Sequence, residues 1–214
     1  MVIDGISRTT AGAKWRMRID GIILASGLSA RMGTNKLLLP YKGKALLQHV
    51  LDLVATLPLD RRILVTTPPT ASGIVVPEGV QLVLNEHPER GQSSSVHLGL
   101  SQACGDAYLF FTADQPRLDR NTVERLLQAA RPDRIVIPCY GDKPGNPVLF
   151  PAAFRDELLA LRGDTGGRPV IKAHTDLCHH VQVDSQAVLA DVDTPAQYQA
   201  LLAETKCQEG TPCP

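Results

Sequence analysis

The chain has 214 residues, of which 43% are hydrophobic, and its 22 basic and 22 acidic residues cancel. That suits one globular domain with a sizeable core, and neutral charge with 4% aromatics gives neither an electrostatic footprint for nucleic acid nor a base-stacking platform. No apolar run reaches the ~18 residues of a membrane helix and no signal-peptide core opens the chain, so a cytoplasmic protein with no membrane partner is expected.

Residues 1–17 are polar and small, without periodicity, and read as a loose lead. The first strand-like run, Gly21–Ala25, feeds a small-residue loop through Ser26, Gly27, Ser29, Arg31 and Gly33 to Lys36. Small side chains at Ala25, Ser26 and Gly27 let backbone N–H groups approach phosphate oxygens or a base edge. Arg31 offers phosphate a planar fork and Lys36 a point charge, which is what a triphosphate needs. The run is neither a Walker P-loop nor the dinucleotide fingerprint. A helix over Ala45–Ala55, a strand over Arg62–Thr66, a Pro-rich surface loop over 66–77 and a strand over Gln81–Leu84 follow.

The hydroxyls of Gly91-Gln92-Ser93-Ser94-Ser95 precede a helix over Ser94–Cys104, where they either cap it or offer donors to a base or ribose. A buried-type strand, Ala107–Thr112, then ends at Asp114. Mg²⁺ is held by few protein carboxylates plus phosphate oxygens and water, and one Asp at a strand end suits that role. Asp119 is the better N-cap for the next helix, Arg120–Ala130. Strands over Arg134–Pro138 and Pro147–Phe150, a helix over Ala152–Ala160, a glycine-rich loop over 163–168, a helix over Arg168–His174 and a strand over His180–Val183 continue the alternation. Asp191-Val192-Asp193-Thr194-Pro195 supplies late carboxylates, and it also makes a good start for the last helix, Pro195–Glu204. Residues 206–214 read as a loose tail.

Strands alternating with helices predict an α/β fold over 18–205, a single domain with a mostly parallel sheet and helices on both faces. Ligands in such sheets bind beyond the carboxyl ends of the strands, where the first loop and Asp114 both sit. A triphosphate site in a neutral chain is expected to be locally basic, with metal. The five cysteines lack a C-x-x-C pair and read as reduced thiols; the six histidines lack ligand spacing and read as structural or surface residues.

The run Leu24-Ala25-Ser26-Gly27-Leu28-Ser29-Ala30-Arg31-Met32-Gly33-Thr34-Asn35-Lys36 resembles the signature loop of the MobA-like nucleotidyltransferases. With Leu37-Leu38-Leu39-Pro40 and Leu46-Leu47-Gln48-His49-Val50, it looks most like the molybdenum cofactor cytidylyltransferases of the MocA type. The resemblance implies a Rossmann-like three-layer sandwich of the nucleotide-diphospho-sugar transferase, or GT-A, type. It implies catalytic Arg31, Lys36 and Asp114, and a nucleotide site formed by Leu24, Ala25, Ser26, Gly27, Ser29, Arg31, Gly33, Lys36 and Ser95. Metal, Mg²⁺ or Mn²⁺, would sit on Asp114 and Asp193, with Asp191 as the alternative partner. The acceptor side would hold Gly145, Asn146, Asp164 and Arg168; where the family usually has His between Gly and Pro, this chain has Asn146, so no titrating role carries over.

The implied reaction moves CMP from CTP to the terminal phosphate of molybdenum-molybdopterin, with a client hydroxylase of the xanthine dehydrogenase type. MocA-type loops read L-A-A-G and guanylyltransferase loops L-A-G-G, whereas this chain reads L-A-S-G. A side chain at Ser26 narrows a purine pocket and points to CTP. A guanylyltransferase using GTP, a cytidylyltransferase for another small phosphate such as methylerythritol phosphate, and a non-catalytic cofactor carrier remain as alternatives. Intact Arg31, Lys36 and Asp114 argue against the carrier.

Overall fold

The computed structural model describes residues 16–27 and 32–208, with the backbone alone over 205–208. In chain order the elements are β1 (Ile19–Ala25), β2 (Pro40–Tyr41), β3 (Lys44–Ala45), α1 (Leu46–Thr56), β4 (Arg61–Thr66), α2 (Pro68–Ala71) and β5 (Val80–Leu84). They continue as α3 (Gln92–Gln102), β6 (Ala107–Thr112), α4 (Arg120–Gln128), β7 (Ile135–Tyr140), β8 (Lys143–Pro144), β9 (Val148–Pro151), α5 (Arg155–Ala160), α6 (Arg168–Ala173), β10 (Cys178–Gln182) and α7 (Pro195–Gln208). The main sheet runs β10-β7-β9-β6-β1-β4-β5, with β8 added to β7. β1 pairs in parallel with both β4 and β6, whereas β9 is antiparallel to β6 and β7.

Period-two alternation sorts the strand side chains into two cores. Ile23, Leu64, Leu109 and Phe111 pack on one face with Leu47, Val50, Leu51 and Val54 of α1 and Val123 and Leu126 of α4. Ile22, Ile63, Val65 and Phe110 pack on the other with Val96 and Leu100 of α3, Leu158 of α5 and Val170 of α6. Two buried faces explain why these strands read as continuous apolar runs. The result is the expected three-layer sandwich. Gly99 lets α3 lie close on β1, because a Cβ there would meet Ile22 Cγ2 at 2.5 Å.

Several boundaries differ from the sequence reading. The third helix starts two residues early, at Gln92, because the chain turns at Gly91 with φ +85°, which glycine alone adopts freely. The expected helix over Ala152–Ala160 is a 3₁₀ turn followed by the short α5. The last helix runs to Gln208, past Glu204 and into the stretch read as tail. The loop over 66–77 carries the one helical turn that its sequence allows, α2, with Pro68 at its start, whereas nothing in the sequence reading marks the short β2–β3 hairpin. Asp119 caps α4 as expected, accepting from Thr122 N at 2.8 Å.

Candidate functional site

Parallel β1 and β6 end side by side, with Leu24 in register with Thr112, so whatever follows each strand faces the same space. A cleft of about 530 Å³ opens there, lined by Leu24, Ser26, Gly27, Lys36, Leu37, Gln92, Ser95, Thr112, Ala113, Asp114, Asp164 and Asp193, among others. Its size suits a small-molecule site.

Lys36 reaches the cleft because the turn that carries it is anchored on both sides. Asn35 caps the Lys36–Leu38 turn by accepting from Leu37 N, and its Nδ2 donates to Thr70 Oγ1 at 2.8 Å. Leu37 is 3% exposed and belongs to the core. Lys36 Nζ then donates to Asp114 Oδ2 at 2.6 Å and to Asp193 Oδ1 at 2.7 Å. Burial works against its charge, but the Asp114 carboxylate and the hydrogen bonds to Asp114 and Asp193 outweigh it and hold the ammonium above its ordinary value.

The late segment is sewn onto the end of β6. Val192 N donates to Asp114 O at 3.1 Å, and buried Gln115 donates through Nε2 to Val188 O at 2.9 Å. Thr194 and Gln197 form a capping box: Gln197 N donates to Thr194 Oγ1, and Gln197 Oε1 accepts from Thr194 N. Capping therefore falls to Thr194, and the Asp193 carboxylate is left to meet Lys36. Asp191 sits behind. Burial first, then the negative charges of Asp114 and Asp193, push its carboxyl up to about 6. Asp114 Oδ1 and Asp191 Oδ1 are buried with no hydrogen-bond partner.

These carboxylates fit a hard divalent cation. Asp114 presents an orphaned, buried oxygen and shares its other one with Asp193 through Lys36. Among the described residues no three His, Cys, Asp or Glu side chains converge as a ready-made metal cage. Two carboxylates completed by phosphate oxygens and water match the preference of Mg²⁺. Arg31, on which the expected local basicity also relies, lies outside the described residues. Among the described residues the lining sets Lys36 against Glu89, Asp114, Asp164 and Asp193. A triphosphate would meet net repulsion there without a divalent cation and the further charge of Arg31.

Ser26 is buried, and its Oγ donates to Val65 O at 3.3 Å, which turns the hydroxyl toward β4. Ser95 is buried in the cleft wall, where its Oγ accepts from Asn85 Nδ2 at 3.1 Å and keeps its own hydrogen to donate. Asp164 joins this wall because the loop after α5 crosses α3 closely: Ser93 N donates to Gly163 O at 3.1 Å, and a Cβ on Gly91 would lie 2.3 Å from Gly163 C.

The cleft thus gathers Leu24, Ser26, Gly27, Lys36, Ser95, Asp114, Asp164 and Asp193 from the sequence-derived set. Ala25 turns into the core, Gly33 stands in a turn with φ +65°, and neither lines the cleft. Ser29 and Arg31 lie outside the described residues. Gly145 and Asn146 are not among the residues lining the cleft; their N–H groups donate to Pro138 O and Val188 O, and a Cβ on Gly145 would strike Val188 O at 2.3 Å. Arg168 is exposed at the start of α6, away from the lining. Sequence reasoning missed Thr112, whose buried Oγ1 has no partner, and Gln115, whose tether sets the late segment. Their only signal was adjacency to Asp114. Cys104, Cys139 and Cys178 are free thiols, and none of them lines the cleft. No helix among the described residues is long and apolar enough to cross a membrane.

Comparison with known proteins places this geometry. The chain is 28% identical over 191 residues to the purine catabolism protein PucB of Bacillus subtilis, covering 83% of this chain and 93% of that protein. It is 30% identical over 192 residues to a molybdenum cofactor guanylyltransferase of Vibrio cholerae, covering 84% and 91%. The crystal structure of Rv0371c from Mycobacterium tuberculosis superposes with a TM-score of 0.80 at 28% identity, covering 88% of this chain and 99% of that one. The same protein has been solved in complex with manganese, with a TM-score of 0.75 at 26% identity and coverage of 86% and 98%. Residues 21–181 match the model of the MobA-like NTP transferase domain, and the chain therefore belongs to that family of nucleotidyltransferases.

Proposed function

We propose that this chain transfers CMP from CTP to the terminal phosphate of molybdenum-molybdopterin, yielding the cytosine dinucleotide and pyrophosphate. The observation that carries nucleotidyl transfer is the convergence of Lys36, Asp114 and Asp193 beside a small-residue loop, at the carboxyl ends of β1 and β6. An acceptor phosphate oxygen forms the new bond to the α-phosphorus as the α–β bridging bond breaks and its electrons leave with pyrophosphate. The attacking phosphate is already anionic at neutral pH, so no general base is required, and none of the histidines lines the cleft.

The protein's part is positioning and charge neutralisation. Lys36 neutralises the leaving phosphates, together with Arg31. Ser95 and the backbone around Ser26 and Gly27 wall the base. Asp114 and Asp193 would hold Mg²⁺ or Mn²⁺, which supplies charge stabilisation at the phosphoryl oxygens. Asp164 stands on the acceptor side. Sequence similarity to PucB, named for purine catabolism, supports a client hydroxylase of the xanthine dehydrogenase type.

A second reading, guanylyl transfer from GTP, is favoured by the name of the Vibrio cholerae relative. Against it stands Ser26, whose Cβ and Oγ occupy the wall where guanylyltransferase loops carry Gly. Pyrophosphate release with CTP, GTP, ATP and UTP, each with Mg²⁺ and molybdopterin with and without molybdenum, decides. The proposal expects CTP with the molybdenum-loaded acceptor; preference for GTP would establish the second reading, and no release with any nucleotide would overturn both.

A further inference from the structure

Lys36 was read from the sequence as a phosphate ligand, yet in the structure its ammonium lies between two carboxylates. Nζ stands 2.6 Å from Asp114 Oδ2 and 2.7 Å from Asp193 Oδ1, and the Lys36 and Asp114 side chains are only 12% and 14% exposed. An ammonium that donates to one oxygen from each of two acids is placed as a bridging cation would be. The rest of the setting is that of a cation site: Asp114 Oδ1 is buried without a partner. Without Lys36, the Asp114 and Asp193 carboxylates would stand beside each other with no cation between them at the end of β6, and like charges so close are disfavoured. The turn that carries Lys36 is fixed by Asn35 and Leu37, but its four-carbon stem keeps the rotamer freedom to swing the ammonium without moving the backbone.

Building on the nucleotidyltransferase reading, we propose that Lys36 is an internal stand-in for the divalent cation. In the resting protein it holds Asp114 and Asp193 together and competes with metal for their oxygens. Metal and Lys36 exclude each other at these two carboxylates, so a metal ion drives the ammonium out toward the cleft, where the nucleotide's phosphates are its next partner. The consequence is coupling. Free metal binds weakly because it must first displace Lys36, and a nucleotide that gives Lys36 another anion to hold strengthens metal binding by the same factor as metal strengthens nucleotide binding. One residue thus serves two roles in sequence, carboxylate clamp and then phosphate ligand, and makes metal entry conditional on substrate.

The test uses Mn²⁺ alone on the full chain, without nucleotide or acceptor. Free Mn²⁺ is followed by electron paramagnetic resonance for wild type, Lys36→Met and Lys36→Gln, with folding checked by circular dichroism. Both variants should bind Mn²⁺ roughly tenfold tighter than wild type, because the competitor is gone. Loss of positive charge alone would also tighten binding, so a second readout is needed: acetic anhydride labelling of wild-type Lys36, quantified by mass spectrometry. Mn²⁺ should raise labelling of Lys36 severalfold while other lysines stay constant. Unchanged or weaker Mn²⁺ binding in the variants, or Mn²⁺ binding to wild type without increased labelling, would overturn the proposal. Neither result touches the choice of nucleotide or acceptor, which the pyrophosphate assay decides separately.

Discussion

At the amino end of β1, the carboxylates of Asp20, Asp60 and Asp106 accept backbone N–H groups. Asp20 Oδ2 takes Cys104 N and Gly105 N, both at 2.7 Å, Asp60 takes Ile19 N at 2.9 Å and Asp106 takes Arg18 N at 2.8 Å. At the carboxyl end, some seven residues along the same strand, Asp114 and Asp193 share one lysine, and burial with the charges of Asp114 and Asp193 pushes the carboxyl of Asp191 up to about 6. The first set is committed to peptide donors that never leave, and it stitches loops to the sheet. The second set is held by a side chain that can be replaced. Withdrawing a carboxylate from water is costly in either place, for Asp20 at one end and Asp114 at the other; the difference lies in whether the compensating partner is backbone or mobile. A carboxylate whose partner can be exchanged is available for chemistry.

The largest effect expected from this contrast is on turnover. Asp114→Asn removes the charge but keeps the size, and should lower transfer about a hundredfold or more while leaving the urea midpoint close to wild type. Lys36→Ala and Arg31→Ala should each lose about 1.5–3 kcal/mol of transition-state stabilisation, roughly tenfold to a hundredfold in rate. Steady-state pyrophosphate release measures all three. Normal turnover in Asp114→Asn at low Mg²⁺ would show that the exchangeable set is not the working one.

Asp20→Ala should do the reverse. Asp20 is 1% exposed, and its loss takes their shared partner from the buried Gly105 N–H and the part-buried Cys104 N–H. The expected cost is about 2–4 kcal/mol of stability, read as a lower urea midpoint at unchanged slope, with turnover per folded molecule unaltered. A variant of normal stability but poor turnover would erase the distinction between the two ends.

Asp191 sharpens the comparison through pH. Its carboxyl is raised to about 6 in the fold against an ordinary value of 3.8. A group with a raised folded value contributes stability that is fully present below the unfolded value and is lost as pH rises through the folded one. Between about pH 4 and 6 the ionising carboxyl therefore erodes the stability of the metal-free protein. Asp191→Asn should remove that slope. With chelator present, it should gain about 1–2 kcal/mol relative to wild type at pH 7.5, after discounting for partial exposure, and little at pH 3.5. Urea titrations of both proteins at the two pH values give the difference.

Much of this was legible in the chain. Continuous apolar runs such as Ala107–Thr112 announce strands buried on both faces, and the residues just beyond them, Asp114 and the small loop after Ala25, mark the cleft because parallel strands bring their ends together. Asp193 was harder, since a Thr-Pro helix start explains the same letters; only the capping box between Thr194 and Gln197 separates the two roles. Gly145 shows a structural demand that the family pattern does not announce, because close approach to Val188 O requires the glycine, while the backbone bond of Asn146 N to Val188 O leaves its side-chain amide uncommitted. The pairing of Lys36 with both acids was not legible, because its partners lie 78 and 157 residues away in sequence.

The smallest effect concerns base choice at Ser26. Where guanylyltransferase loops place a hydrogen, this chain places a Cβ and an Oγ in the cleft wall. The hydroxyl is drawn to Val65 O at 3.3 Å, so the group nearest a base is chiefly the Cβ, and the obstruction to a bicyclic purine is about one carbon's worth. Steric differences of a methylene in a pocket are worth about 1–3 kcal/mol, and the tethered hydroxyl puts this one at the lower end. Ser26→Gly should therefore raise kcat/KM for GTP by about tenfold relative to CTP, leaving CTP use nearly intact. Val65 is fully buried and the lost bond to its carbonyl is a long one, so its loss should lower stability by about 1 kcal/mol. The ratio of the two specificity constants, measured for wild type and variant, carries the answer. An unmoved ratio would assign base selection to the α3 wall around Ser95, and a wild type already preferring GTP would show that a serine here does not exclude a purine.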